Sequence, residues 1–112
     1  MPNAVIIGTG SYAPEHIVPN TYFDRVGSND AWIQERLGIK ERRIAQGETT
    51  SELAVQAAQR ALDMAQMEAS ELDLIVLATA TPDRPAPASA CMVQEKLGAH
   101  NAAGFDIAAV CS

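Results

Sequence analysis

Two short apolar runs that show no polar–apolar alternation constrain this chain more than any other feature. Leu74-Ile-Val-Leu-Ala78 is apolar throughout, and Ala102 to Val110 is made mainly of small and apolar residues. Runs of this kind suit strands covered on both faces, as in parallel sheets. Between them lie a proline-interrupted loop, Thr79 to Pro87, and a helix that Pro87 would open, that runs to Leu97, and that Gly98 would cap. Strand, helix and strand in this order imply a mostly parallel sheet with helices packed on it, an α/β fold.

A second helix precedes them. Thr49 and Glu52 have capping-box spacing, and apolar residues then fall at 53, 54, 57, 58, 61, 62 and 65. Most of that stripe is alanine, so the helix face is smooth and can lie close against a sheet. Glu52, Gln56, Gln59, Arg60 and Asp63 fall on the water side. Upstream, Ala4 to Ile7 reads as a short strand ending at Gly8-Thr9-Gly10, and Pro14 and Pro19 keep the next stretch extended or turning. Ser28-Asn29-Asp30 offers N-cap oxygens to a helix over Ala31–Leu37 that Gly38 closes. Ile39 to Ala45 reads as extended, with a turn at Gly47.

The chain has 112 residues, the length of one ordinary domain, with 14 acids against 8 bases and a net charge of −6. That balance argues against nucleic acid or an anionic membrane as a partner. No apolar run is long enough to span a bilayer, and Met1-Pro-Asn-Ala lacks the basic region of a signal peptide. The expectation is a soluble, cytoplasmic chain with reduced thiols.

Gly8-Thr-Gly-Ser-Tyr-Ala13 fits the G-x-G-x-x-A form of the dinucleotide motif. That motif works by opening a helix whose amides meet a pyrophosphate, and Pro14 and Pro19 argue against such a helix. A tight strand-exit turn is the better reading. Cys111 stands at the end of the last apolar run. A thiol so placed, with a helix N-terminus following, would be favoured as thiolate and would suit acyl transfer, because sulfur both attacks and leaves well. The competing reading is an inert buried thiol, which is the expectation for Cys91 in mid-helix. No metal is expected, since neither His16 nor His100 has a ligand at metal-site spacing. Arg36, Lys40, Arg42 and Arg43 cluster beside the only tryptophan, Trp32, which shares a helix face with Arg36. Such a face could stack on a purine and grip a phosphate, or could be core with a solvated rim.

Four separated stretches carry a family resemblance: Ile6-Ile-Gly-Thr-Gly-Ser-Tyr12, Asp30-Ala-Trp-Ile-Gln-Glu-Arg-Leu-Gly-Ile-Lys-Glu-Arg43, Leu77-Ala-Thr79 and Phe105-Asp-Ile-Ala-Ala-Val-Cys111. In order and spacing they resemble the β-ketoacyl-acyl-carrier-protein synthase III family. The resemblance implies a thiolase-like layered fold, with residues 1–112 forming the first part of its N-terminal half and ending at the nucleophile elbow. It implies that Cys111 takes an acyl group from acyl-CoA, then condenses with malonyl-acyl-carrier protein with loss of carbon dioxide, using no cofactor. Trp32 matches the residue that stacks on the CoA adenine, Arg36 one near its phosphates, and Ser28 a hydroxyl residue touching the adenine. Lys40 to Arg43 is expected to form a solvated rim. Ala86 stands where the family often places a bulkier residue near the acyl pocket, which implies primers larger than acetyl. The family is usually a homodimer, about three times this length, with catalytic His and Asn residues in its C-terminal part that neither His16 nor His100 matches. The expectation is therefore either an N-terminal piece or a chain completed by another polypeptide, which alone lacks condensing activity and exposes a sheet face. Two alternatives stay open: a thiolase-fold acyltransferase acting on oxygen or nitrogen or making polyketide or quinolone starters, and a non-catalytic acyl-CoA-binding or dimerisation module.

Overall fold

A computed structural model describes residues 3–111. The chain divides into two units, one of residues 13–47 and one of residues 1–12 with 48–112.

In the first unit, β1 (His16–Pro19) pairs antiparallel with β2 (Glu41–Ile44), with Val18 opposite Arg42. A 3-10 segment (Asn20–Val26) and α1 (Asp30–Leu37) connect them. Asn29 caps α1 by accepting from the Trp32 amide at 2.9 Å, and Gly38 ends it with φ 69°. Val18 and Ile33 are buried. Asn20, 1% exposed, organises the polar interior. Its Nδ2 donates to Asp30 Oδ1 and the Ile39 carbonyl, while its Oδ1 accepts from Arg42 at 2.7 Å. Arg42 also lies over the Phe23 ring at 4.6 Å. It is therefore part of the fold and not a member of a solvated rim, because the guanidinium both bonds and stacks. Arg43 donates to the Pro14 carbonyl and pairs with Glu41.

In the second unit, α2 (Thr50–Ala65) carries the expected capping box: Glu52 N donates to Thr49 Oγ1 at 3.3 Å, and Thr49 N to Glu52 Oε2 at 2.9 Å. A 3-10 turn (Ala69–Glu71) leads to β3 (Leu74–Ala78), then α3 (Ser89–Leu97) and β4 (Ala103–Ile107). β3 and β4 are parallel, with Val76 opposite Phe105 and Ala78 opposite Ile107. α3 packs on this pair and on α2, burying Ala90 and Val93. It sits close because Gly104 has no side chain: an added Cβ would meet Ala90 Cβ at 3.3 Å.

Several expectations are corrected. Ala4–Ile7 forms no strand, and Val5, Ile6 and Ile7 are exposed; apolar content alone makes no strand without a partner to bond. The segment instead lies along α2. A Cβ on Gly8 or Gly10 would run into the carbonyl oxygens of Ala61 and Ala57, so both glycines serve helix packing. Arg60 bonds the Ser11 carbonyl from the same helix. Helix α3 begins at Ser89 and not at Pro87, and β4 stops at Ile107 and not at Val110. Among the described residues the sheets are one parallel and one antiparallel pair. β3 and β4 are covered on one face only, leaving Leu74, Val76, Phe105 and Ile107 exposed on the other.

Candidate active site

The C-terminal ends of β3 and β4 meet the loop 79–88 and the start of α3. Beyond Ala78 the ladder continues through Thr79 N–H, which donates to the Ile107 carbonyl at 2.9 Å. A hollow of about 240 Å³ opens here, lined by Ala78–Ala80 and Ile107–Val110. The ends of parallel strands are where α/β folds commonly bind ligands. Val110 adopts φ 52°, a left-handed backbone rare for a β-branched residue, so the chain turns sharply out of line with β4. Cys111 follows directly and is exposed. Ser112 lies outside the described residues, and so does any helix that an elbow would open.

Two carboxylates hold this end of the unit together. Asp106, on β4, accepts from Ser89 N at 2.8 Å and Ala90 N at 2.7 Å. It thereby caps α3, whose local N-cap residue, Ala88, has no side-chain acceptor. Asp83, in the loop, accepts from Ser51 N at 2.8 Å and Ser51 Oγ at 2.6 Å, and its own amide donates to Ser89 Oγ. Lys96 Nζ donates to Ser51 Oγ at 3.0 Å and pairs with Glu52. Ser51 and Ser89 are fully buried. Burial pushes the Asp83 carboxyl up, but the Ser51 hydrogen bonds and the nearby Lys96 charge outweigh it and hold it below its ordinary range. Glu52 is lowered chiefly by the Thr49 amide and then by Lys96. Ala86 lies exposed in the same loop.

Trp32 and Ser28 come together in the other unit. With Val26, Gly27 and Asn29 they line a hollow of about 230 Å³, and Trp32 is 51% exposed. It is a surface ring and not a core one. Arg36 stands in the last turn of α1, exposed and outside that lining. Asp30, at the start of α1, is held below its ordinary range by hydrogen bonds from Asn20 and Gln34, and by Lys40.

Cys91 Sγ lies 3.7 Å from the Gly104 carbonyl under α3, a packing position. Among the described residues no group of three or more His, Cys, Asp or Glu is arranged to hold a metal. No helix of the described residues is long and apolar enough to cross a membrane. The roles of Asp106, Asp83 and Asn20 were not read from the sequence. Asp106 did carry a signal: it is the one charge in an apolar strand, and such a carboxylate must find donors.

No protein-family model matches this chain. It is 58% identical over 109 residues to a β-ketoacyl-acyl-carrier-protein synthase III of Hyphomonas neptunium, covering 96% of this chain and 34% of that protein. The same-named protein of Clostridium botulinum is 49% identical over 113 residues, covering all of this chain and 35% of its relative. Among solved structures, the 3-oxoacyl-acyl-carrier-protein synthase III of Aquifex aeolicus matches with TM-score 0.89 and 48% identity, over 96% of this chain and 35% of that one. A priming β-ketosynthase from the R1128 polyketide pathway matches with TM-score 0.88 and 39% identity, over 95% and 32%. The chain thus spans about a third of the length of the relatives it matches. In sequence and in its thiolase-type α/β fold, it corresponds to the N-terminal third of the β-ketoacyl-acyl-carrier-protein synthase III family.

Proposed function

We propose that this chain forms the first part of a condensing acyltransferase and supplies its nucleophile, Cys111. The observation that carries the reading is the exposed thiol just past the sharp turn at Val110, at the end of a parallel strand. The Cys111 thiolate attacks the carbonyl of an acyl-CoA, and CoA leaves as its thiolate. Malonyl-acyl-carrier protein then loses carbon dioxide, and the carbanion equivalent attacks the Cys111 thioester. A β-ketoacyl-carrier thioester forms and the Cys111 sulfur is released. Trp32 and Ser28 hold the adenine in the hollow they share, and Arg36, one turn further along α1, meets the phosphates. Acyl-CoA is a substrate here and no cofactor is required. The complete enzyme is a cytoplasmic homodimer, and the remaining C-terminal polypeptide contributes His and Asn. Small Ala86 leaves room for primers larger than acetyl.

The test replaces the matching segment of the Hyphomonas neptunium protein with these 112 residues. Incubated with acetyl-CoA, the chimera gains one acetyl group that disappears in Cys111→Ala; with malonyl-acyl-carrier protein it then releases carbon dioxide. Bound CoA with no covalent adduct would point to a binding module. An adduct without carbon dioxide release would point to transfer onto oxygen or nitrogen. The likeness to a priming ketosynthase supports a second reading, a starter-unit synthase. A primer series from acetyl to hexanoyl bears on both this reading and the room at Ala86, and use of acetyl-CoA alone would remove the case for larger primers.

A further inference from the structure

We propose that Asp106 is a positioning residue for Cys111, fixing through α3 the place at which the end of β4 delivers the thiol; this rests on Cys111 being the nucleophile. Both carboxylate oxygens are committed, to Ser89 N and Ala90 N, so Asp106 does from the strand what an N-cap does locally. The neighbouring contacts leave β4 little slack. Gly104 lies directly under Ala90, with Cys91 Sγ 3.7 Å from its carbonyl. On the other flank Thr79 N–H holds the Ile107 carbonyl at 2.9 Å. Fully buried Ser89 also ties in the loop, because its Oγ accepts from Asp83 N at 2.9 Å. Strand, helix and loop are thus joined at one point, and only Ala108, Ala109 and Val110 separate the last strand residue from Cys111. A strand position that needed packing alone would be met by an apolar side chain, without the cost of withdrawing a carboxylate from water. With three residues between β4 and Cys111, a shift of β4 along α3 would move the sulfur, and an error of about 1 Å in a reacting group costs on the order of a hundredfold in rate.

The experiment uses the chimera described above, with Asp106→Asn and Asp106→Ala, and Leu62→Ala as a control that destabilises the same unit through its buried core. Two rates are followed at Cys111 by mass: acylation by acetyl-CoA, and alkylation by iodoacetamide. Asp106→Ala is expected to slow acylation at saturating acetyl-CoA by roughly tenfold or more, with KM changed less than about twofold. Asp106→Asn, which keeps one acceptor oxygen, falls between, and alkylation follows the same order. Leu62→Ala lowers stability and leaves both rates in place. The proposal is overturned if both Asp106 variants match the parent in both rates, or lose no more than Leu62→Ala does. Should Asp106→Ala fail to fold, Asp106→Asn carries the comparison. A parent chimera that is alkylated but never acylated would refute the acyl-transfer reading, and the alkylation series would still decide the role of Asp106.

Discussion

At the start of α2 one residue, Ser51, gives both its amide and its hydroxyl to a carboxylate 32 residues downstream. The pH behaviour of Asp83 follows from that contact. Above its ordinary pKa of 3.8 the group is ionised whether the chain is folded or not, and its hydrogen bonds stabilise the fold in full. As pH falls through that value the unfolded chain takes up the proton first. Stability is then lost progressively until the folded carboxyl is protonated too. Asp83→Asn should therefore be less stable than the parent at pH 6, and the gap between their urea midpoints should narrow towards pH 3. A gap that stays constant over that range would show that the charge contributes nothing. Asp30 and Glu52 are also lowered, so the variant keeps some acid sensitivity of its own. Contacts such as Asp83 to Ser51 were not legible in the sequence, because their geometry exists only after the loop, α2 and α3 have packed.

Helices speak for themselves in a sequence in a way that strands do not, and α2 is the clear case. Its cap, period and exposed side all depend on residues within a few positions of one another, and all three appear as the spacing predicts. Thr49→Ala removes the side-chain half of the cap and should cost about 1 kcal/mol. The measurement is the denaturant midpoint, with the slope unchanged, and Thr49→Ser should restore most of the loss. A shift too small to resolve would mean that Asp83 and Ser51 alone secure this helix end. The start of α3 departs from the expected one for the complementary reason. Its cap comes from Asp106, 17 residues away from Ser89, so Pro87 was the only local signal. β1 carries no local signal beyond an extended or turning stretch, because its partner, β2, lies beyond a 3-10 segment and a helix, and two prolines mask the run. Ala4–Ile7 departs in the opposite direction, having β-prone residues but no partner strand among the described residues. Of the candidate site, Ser28 and Trp32 line one hollow, a pairing that the family resemblance and not local spacing implies, while Arg36, which local spacing puts on the Trp32 face, lies outside that lining. The carboxylate scaffold behind Cys111 was not readable in that way.

For the chain as a whole, the uncovered face of the β3–β4 pair is the dominant property. Val76 and Phe105 lie side by side in the register, 48% and 47% exposed, with Leu74 and Ile107 extending the same face. The two runs lack alternation because their sequence is written for burial on both sides, while α3 covers one side only. A contiguous apolar surface of this kind binds other apolar surfaces. The 112-residue chain should therefore bind a hydrophobic dye and sediment as associated species at micromolar concentration. The double variant Val76→Lys and Phe105→Lys places two charges on that face and should abolish both effects, while far-ultraviolet circular dichroism stays unchanged because both positions lie on the exposed face, opposite the one that Gly104 turns to Ala90. In the chimera the same two lysines should instead prevent folding, since the proposed remainder of the enzyme would have to bury them without partners. A parent chain that is monomeric and dye-free at those concentrations would mean that this face is satisfied within the chain. A chimera that tolerates both lysines would mean that the remaining polypeptide packs elsewhere, and the layered arrangement expected for this family would not hold at this sheet.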